Sequence, residues 1–118
     1  SNALYSLGSD GTAEQHNSGN TVSRCNVFNF HSAAPSALGA AGVKLSGGNT
    51  GWTITANSFY QTAPRSSNSA GTGAISIVSL SGTGFIITDN SIGGREPNAG
   101  GAACCASSAT ARTSSKAS

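Results

Sequence analysis

Side chains able to move protons, hold ions or grip an anion are scarce in this chain, so their spacing is weighed first. The acids are Asp10, Glu14, Asp89 and Glu96. Asp10 and Glu14 lie close together in a Gly-rich stretch that also holds His16. Acid–base hydrolysis asks for two carboxyls held at a fixed separation, one protonated and one ionised. A calcium site asks for a larger set of charged oxygens. Asp10 and Glu14 offer at most one weak hydrolytic pair, and a calcium site would want more ligands. The three cysteines, Cys25, Cys104 and Cys105, have no metal-ligand spacing and make no even disulfide framework. Cys25 is expected as a small buried apolar residue. The "GTG" triplets at 71–73 and 82–84 are too short to cradle a phosphate, and no Lys-Ser/Thr follows them. Ser and His occur without the spacing of a nucleophile elbow or triad. No catalytic residue, cofactor or metal is therefore assigned.

A second set of side chains could bind without reacting. His31, Arg65, Arg95 and Glu96 fall in the long variable segments 29–42, 61–74 and 93–101, and Lys44 lies on an adjoining strand. Tyr60 follows Phe59, which is expected inward, so Tyr60 should point outward as a sugar-stacking platform. Trp52 alternates with Ile54 and is expected in the core. Together these residues form a candidate glycan-binding face. The competing reading is ordinary solvated loop charge. With 8% charged residues and a net charge of +2, the chain offers no basic stripe for nucleic acid. No apolar run approaches the roughly 20 residues of a membrane-spanning helix.

A repeat organises the strands that carry these residues. Residues 18–27 (SGNTVSRCNV), 50–59 (TGWTITANSF) and 83–92 (TGFIITDNSI) align without a gap. A fainter repeat precedes them, "VKLSGGNTG" from Val43 and "VSLSGTG" from Val78, with a worn copy "YSLGS" at Tyr5. Inside each copy apolar residues alternate, as Trp52 with Ile54 and Phe85 with Ile87, which signals strand. No 3.6-residue stripe is present. Recurring columns favour stacking each strand on its equivalent in the next copy, so that Val22 meets Ile54 and Ile54 meets Ile87. One column reads Cys25, Asn57, Asn90. Asn tolerates a left-handed backbone, and its amide both donates and accepts, so a bend with an asparagine ladder is expected there.

The segments "ITANSF" (54–59) and "ITDNSI" (87–92) resemble the right-handed parallel β-helix family, the pectate-lyase-like solenoids, and the repetitive segments of large bacterial secreted or surface proteins. The resemblance implies an all-β solenoid of about three coils over residues 4–101, a fragment of a longer one. Residues 1–3 are read as an expression-tag scar and 102–118 as an irregular tail. Enzymes of the resembled family rely on clustered acids, which are sparse here. The expected role is thus a non-catalytic structural or adhesive segment, extracellular or at the cell surface. The alternative is a fragment of a polysaccharide lyase, glycoside hydrolase or glycan-binding spike. The expected partners are a polysaccharide, an end-to-end second copy, or adjacent coils of a longer protein.

Overall fold

The computed structural model describes residues 2–31, 40–63 and 73–102, with the backbone of 116–117. The order is β1 (Asn2–Ser6), a short 3-10 turn η1 (Ala13–Gln15), β2 (Asn17–Ser18), β3 (Thr21–Ser23) and β4 (Asn26–Phe28). A second unit follows as β5 (Ala41–Leu45), β6 (Asn49–Thr50), β7 (Thr53–Thr55) and β8 (Ser58–Tyr60). A third comprises β9 (Gly73–Ile77), β10 (Ile86–Thr88), β11 (Asn90–Ile92) and the 3-10 turn η2 (Pro97–Ala99); β12 (Lys116–Ala117) comes last. The chain is all-β, and its strands pair mostly in parallel with strands of neighbouring units. The sheets run β1-β5-β9, β3-β7-β10, β4-β8-β11-β12 and β2-β6. Among the described strands only β12 joins antiparallel, on β11.

The register follows the aligned columns. Val22 pairs with Ile54 and Ile54 with Ile87; Val27 pairs with Phe59 and Phe59 with Ile92. Equivalent residues are 32 or 33 apart, as in the Cys25–Asn57 and Asn57–Asn90 contacts. The β1–β5 step is 39, because the η1 loop lengthens the first unit. Parallel neighbours need long crossovers, and here each crossover is nearly a whole unit.

The fainter repeat misplaces the first strand of two units. Val43 and Leu45 pair with Ile75 and Ile77, not with Val78 and Leu80. Leu80 is fully exposed at 101% and Val78 is half exposed. The β5–β9 step is thus 32 residues, as in β3–β7 and β4–β8, whereas pairing through Val78 and Leu80 would require 35. At the N-terminus Leu4, not Tyr5, is the partner of Val43; a one-residue slip reverses every side chain. Asn2 and Ala3, set apart in the sequence as a scar, lie within β1, and Asn2 Oδ1 accepts from the Ala41 N–H at 3.0 Å. Lys116–Ala117 likewise form a strand within the segment expected to be irregular.

The core is densest in the middle unit, which has a neighbour on each side. Val43, Leu45, Ile54 and Phe59 are buried with Phe30 and Trp52, while Leu4, Val22, Val27, Ile75, Ile77, Phe85, Ile87 and Ile92 are partly covered around them. The Trp52 indole N–H donates to the Asn17 carbonyl at 3.0 Å, which satisfies its polar end inside the core.

The bend differs from expectation in one detail. The left-handed residue is not the asparagine but the residue before it: Arg24 (φ 55°), Ala56 (φ 56°) and Asp89 (φ 56°). This turns the asparagine side chain inward, where Asn57 and Asn90 are buried. A left-handed non-glycine residue carries a cost of roughly 1–2 kcal/mol. Ala56 is exposed. Replacing it with glycine should relieve that strain and return part of it as unfolded-chain entropy. Ala56→Gly is expected to stabilise by about 0.5–1 kcal/mol, seen as a Tm rise of about 2–5 °C. A lower Tm would mean that the methyl group at this corner makes contacts that outweigh the strain.

Candidate functional site

Two polar columns are built where chain direction changes. In the first, Asn57 Oδ1 accepts from the Cys25 N–H at 2.9 Å, and Asn57 Nδ2 donates to the Val22 carbonyl at 2.9 Å. Asn90 Oδ1 accepts from the Asn57 N–H and from Asn57 Nδ2, both at 3.0 Å. Asn90 Nδ2 donates to the Ile54 carbonyl at 2.8 Å. Each asparagine thus reaches back to the preceding unit. The Cys25 side chain stands outside this arrangement. It is exposed rather than buried, and its thiol lies 3.2 Å from the Ser23 carbonyl. Cys25 meets the asparagine column through its backbone N–H, and it lies between β3 and β4, which among the described residues are edge strands.

The second column, built on Asn49, was not anticipated. Asn49 is fully buried. Its amide donates to the Ser6 and Ser46 carbonyls at 3.1 and 2.7 Å and accepts from Ser6 Oγ at 2.7 Å. Ser79 Oγ accepts from the Asn49 N–H at 3.1 Å and donates to its carbonyl at 2.8 Å. The sequence signal was Asn17 and Asn49 heading "NSG" and "NTG" at one step. In the third copy Gly82 stands there. A Cβ on Gly82 would collide with the Asn49 carbonyl oxygen and come within 2.9 Å of the Phe85 ring and of Ser79 Oγ.

The candidate glycan face is divided. Lys44 lies on β5, opposite Tyr5 of β1 and Ser76 of β9. Tyr60 lies on β8, in the sheet of β4 and β11. Tyr60 does not serve as an open platform, since it is only 8% exposed. The η2 turn packs against β8, and the Asn98 N–H donates to Ser58 Oγ at 3.0 Å. The Phe28 ring stacks on Tyr60, with centroids 5.3 Å apart and planes 18° from parallel. Phe28, half exposed, is therefore the accessible aromatic of the pair. Its signal was the equivalence of "VF" at 27–28 and "FY" at 59–60.

His31 meets Phe30 edge-on at 5.1 Å, and Phe30 meets Phe59 edge-on at 6.3 Å. Arg95 and Glu96 immediately precede η2, and both backbone N–H groups donate to the Gly100 carbonyl. Tyr60 and the 94–99 segment are therefore neighbours, and Lys44 belongs to another sheet. Arg65 lies outside the described residues. Gln61 is buried beside this region, and neither its Nε2 nor its Oε1 has a hydrogen-bond partner among the described residues.

The acids are also dispersed. Among the described residues no three His, Cys, Asp or Glu side chains gather in a metal-binding arrangement. Asp89 projects from its exposed left-handed corner. Asp10 performs a structural task. Its Oδ1 accepts from Ser81 Oγ at 2.7 Å and from the Gly48 N–H at 2.6 Å. These bonds, the Ser81 hydroxyl first, hold its carboxyl below its ordinary value of 3.8, and His16 adds a smaller electrostatic contribution. Glu14 is lowered by its own backbone N–H and the Thr12 hydroxyl.

A carboxyl with a depressed folded-state pKa stabilises above its ordinary value and loses that contribution as pH falls through the folded value. Tm should therefore fall on acidification below pH 3.8. The fall should be smaller in Asp10→Asn, measured by thermal melts across the acid range. Equal falls in both proteins would remove Asp10 from this role.

In comparisons with family models, curated proteins and solved structures, no match to the chain was found.

Proposed function

We propose that the chain is a segment of a right-handed parallel β-helix of about three coils, from an extracellular or surface protein, with a structural or adhesive role rather than a catalytic one. The observation that carries this reading is the direction of the chain's polar chemistry. Its best organised polar groups, Asn49, Asn57, Asn90 and Ser79, are buried and tie successive units together. The outward groups, by contrast, are spread over separate sheets. A parallel stack whose buried polar columns are turned to internal bonding suits a rigid spacer or display surface. The test is incubation with acidic and neutral polysaccharides, with and without calcium, followed by product analysis. No cleavage is expected. Product release that disappears in Asp89→Asn or Glu96→Gln would overturn the structural reading in favour of a polysaccharide lyase or glycoside hydrolase fragment.

The glycan-binding alternative draws support from one observation, the stacked Phe28–Tyr60 pair with Phe28 half exposed. A half-exposed aromatic pair suits stacking against a sugar ring. Such a shallow contact supports binding on the order of 0.1–1 mM. Chemical-shift mapping with neutral and anionic oligosaccharides should then centre on Phe28 and His31, and Phe28→Ala should abolish it. Shifts centred on Asp89 would move the site to the bend.

A further inference from the structure

We propose that the two ends of the stack are complementary, and that the third unit of one chain docks on the first unit of a second copy. This rests on the stacked-coil reading and adds a partner to it.

Among the described residues both outer units present strand edges. Among the described residues β1, β3 and β4 have no strand beyond them at the first unit, and neither do β9 and β10 at the third. Unpaired edges invite addition of another strand. The core columns are cut open at the same places. Val43 and Ile54 are 0% exposed and Phe59 1% in the middle unit, whereas Leu4, Val22 and Val27 on one side and Ile75, Ile87 and Ile92 on the other are only partly covered.

Stacking third unit on first would continue each column with residues of the same kind. Ile87 would meet Val22, Ile92 would meet Val27, and Ile75 would meet Leu4. Thr88 would meet Ser23, repeating the 2.9 Å hydroxyl contact already made between Thr55 and Thr88.

Charge selects this partner and its orientation. The left-handed corner column reads Arg24, Ala56, Asp89, and all three are exposed. Within one chain Ala56 separates the two charges by two strand steps, roughly 9–10 Å. Across the docked ends Asp89 of one copy would sit one strand step, about 4.8 Å, from Arg24 of the next. A head-to-head pair would set the strands antiparallel and lose this match of columns. Because the two surfaces differ, the contact is heterologous and can propagate.

Two features weaken it. Cys25 brings no amide to reach back to Asn90, so the docked junction lacks the link found at the internal one. In addition, β12 already occupies the β11 edge and competes for it.

Sedimentation velocity of the full chain tests the proposal over a range of protein concentrations. Concentration-dependent association is expected. Asp89→Arg should weaken it by about tenfold or more, and adding Arg24→Asp should restore it to within roughly threefold of the parent. Removal of residues 116–118 should tighten it. Nuclear Overhauser contacts between Val22 and Ile54 report in parallel on the stack itself. A chain that keeps those contacts but stays monomeric, or a charge swap that fails to restore association, overturns the docking. Unchanged association after removal of residues 116–118 overturns the competition by β12. Loss of the Val22–Ile54 contacts in the parent would strike the stacked-coil reading instead.

Discussion

Ile54→Asp is expected to abolish folding. Ile54 is 0% exposed and is held between Val22 and Ile87 at successive strand steps. A carboxylate there would have apolar neighbours on both sides and no cation. Burying an unpaired charge costs several kcal/mol or more, comparable with the total stability of about 5–15 kcal/mol typical of a domain. The matched control is Ile86→Asp. Ile86 is in β10 on the opposite face and is 52% exposed, so the same type of change should stay within about 0.5 kcal/mol. Circular dichroism and urea unfolding would show strand signal lost in the first variant and kept in the second. A cooperative, parent-like melt of Ile54→Asp would contradict the facing of this column.

Asn57→Ala should cost about 2–4 kcal/mol, because it strands the Cys25 N–H and the Val22 carbonyl and also takes away a donor to Asn90. Asn57→Asp keeps the shape and the acceptor but loses the donor. It also places a carboxylate beside the Asn90 and Val22 oxygens, so it should be at least as damaging at neutral pH. Asn26→Ala, at an exposed neighbouring position, should change stability by only a few tenths of a kcal/mol. Urea midpoints at constant slope provide the comparison. A loss of a few tenths for Asn57→Ala would remove the buried amide links from the stability of the stack.

The strand columns were legible where two constraints coincided in the sequence. Around Ile54 and Ile87 an apolar alternation is joined to a Gly before it and an Asn after it, so only one register satisfies all of them. Around Val78 and Leu80 the match of "VSLSGTG" to "VKLSGGNTG" pointed to one strand, while "AISI" at 74–77 offered an equally good alternation. The structure uses "AISI", which keeps the step of 32 seen in the neighbouring sheets, and no local window contains that step. The outward facing of Tyr60 was legible from parity, but its burial was not, because the cover comes from Phe28 and the η2 turn. Cys25 was misjudged for a related reason. Its residue type suits burial, yet it lies beside the edge strands of the first unit and is exposed. The column at Asn49 was visible as "NSG" and "NTG", but its break at Gly82 concealed it. The missing side chain is itself imposed by the closeness of the Asn49 carbonyl.

The Asp10 carboxylate has a consequence for how the molecule opens. In a linear array each unit touches only its neighbours, so terminal units fray separately and amide exchange is graded from the ends inward. Asp10 belongs to the first unit but holds Gly48 in the second and Ser81 in the third, a span of 71 residues. Detaching the first unit therefore also releases the loop of the third. Amide protons on the two outer units should consequently exchange through a common opening event, with closely matched protection, in place of two independent ones.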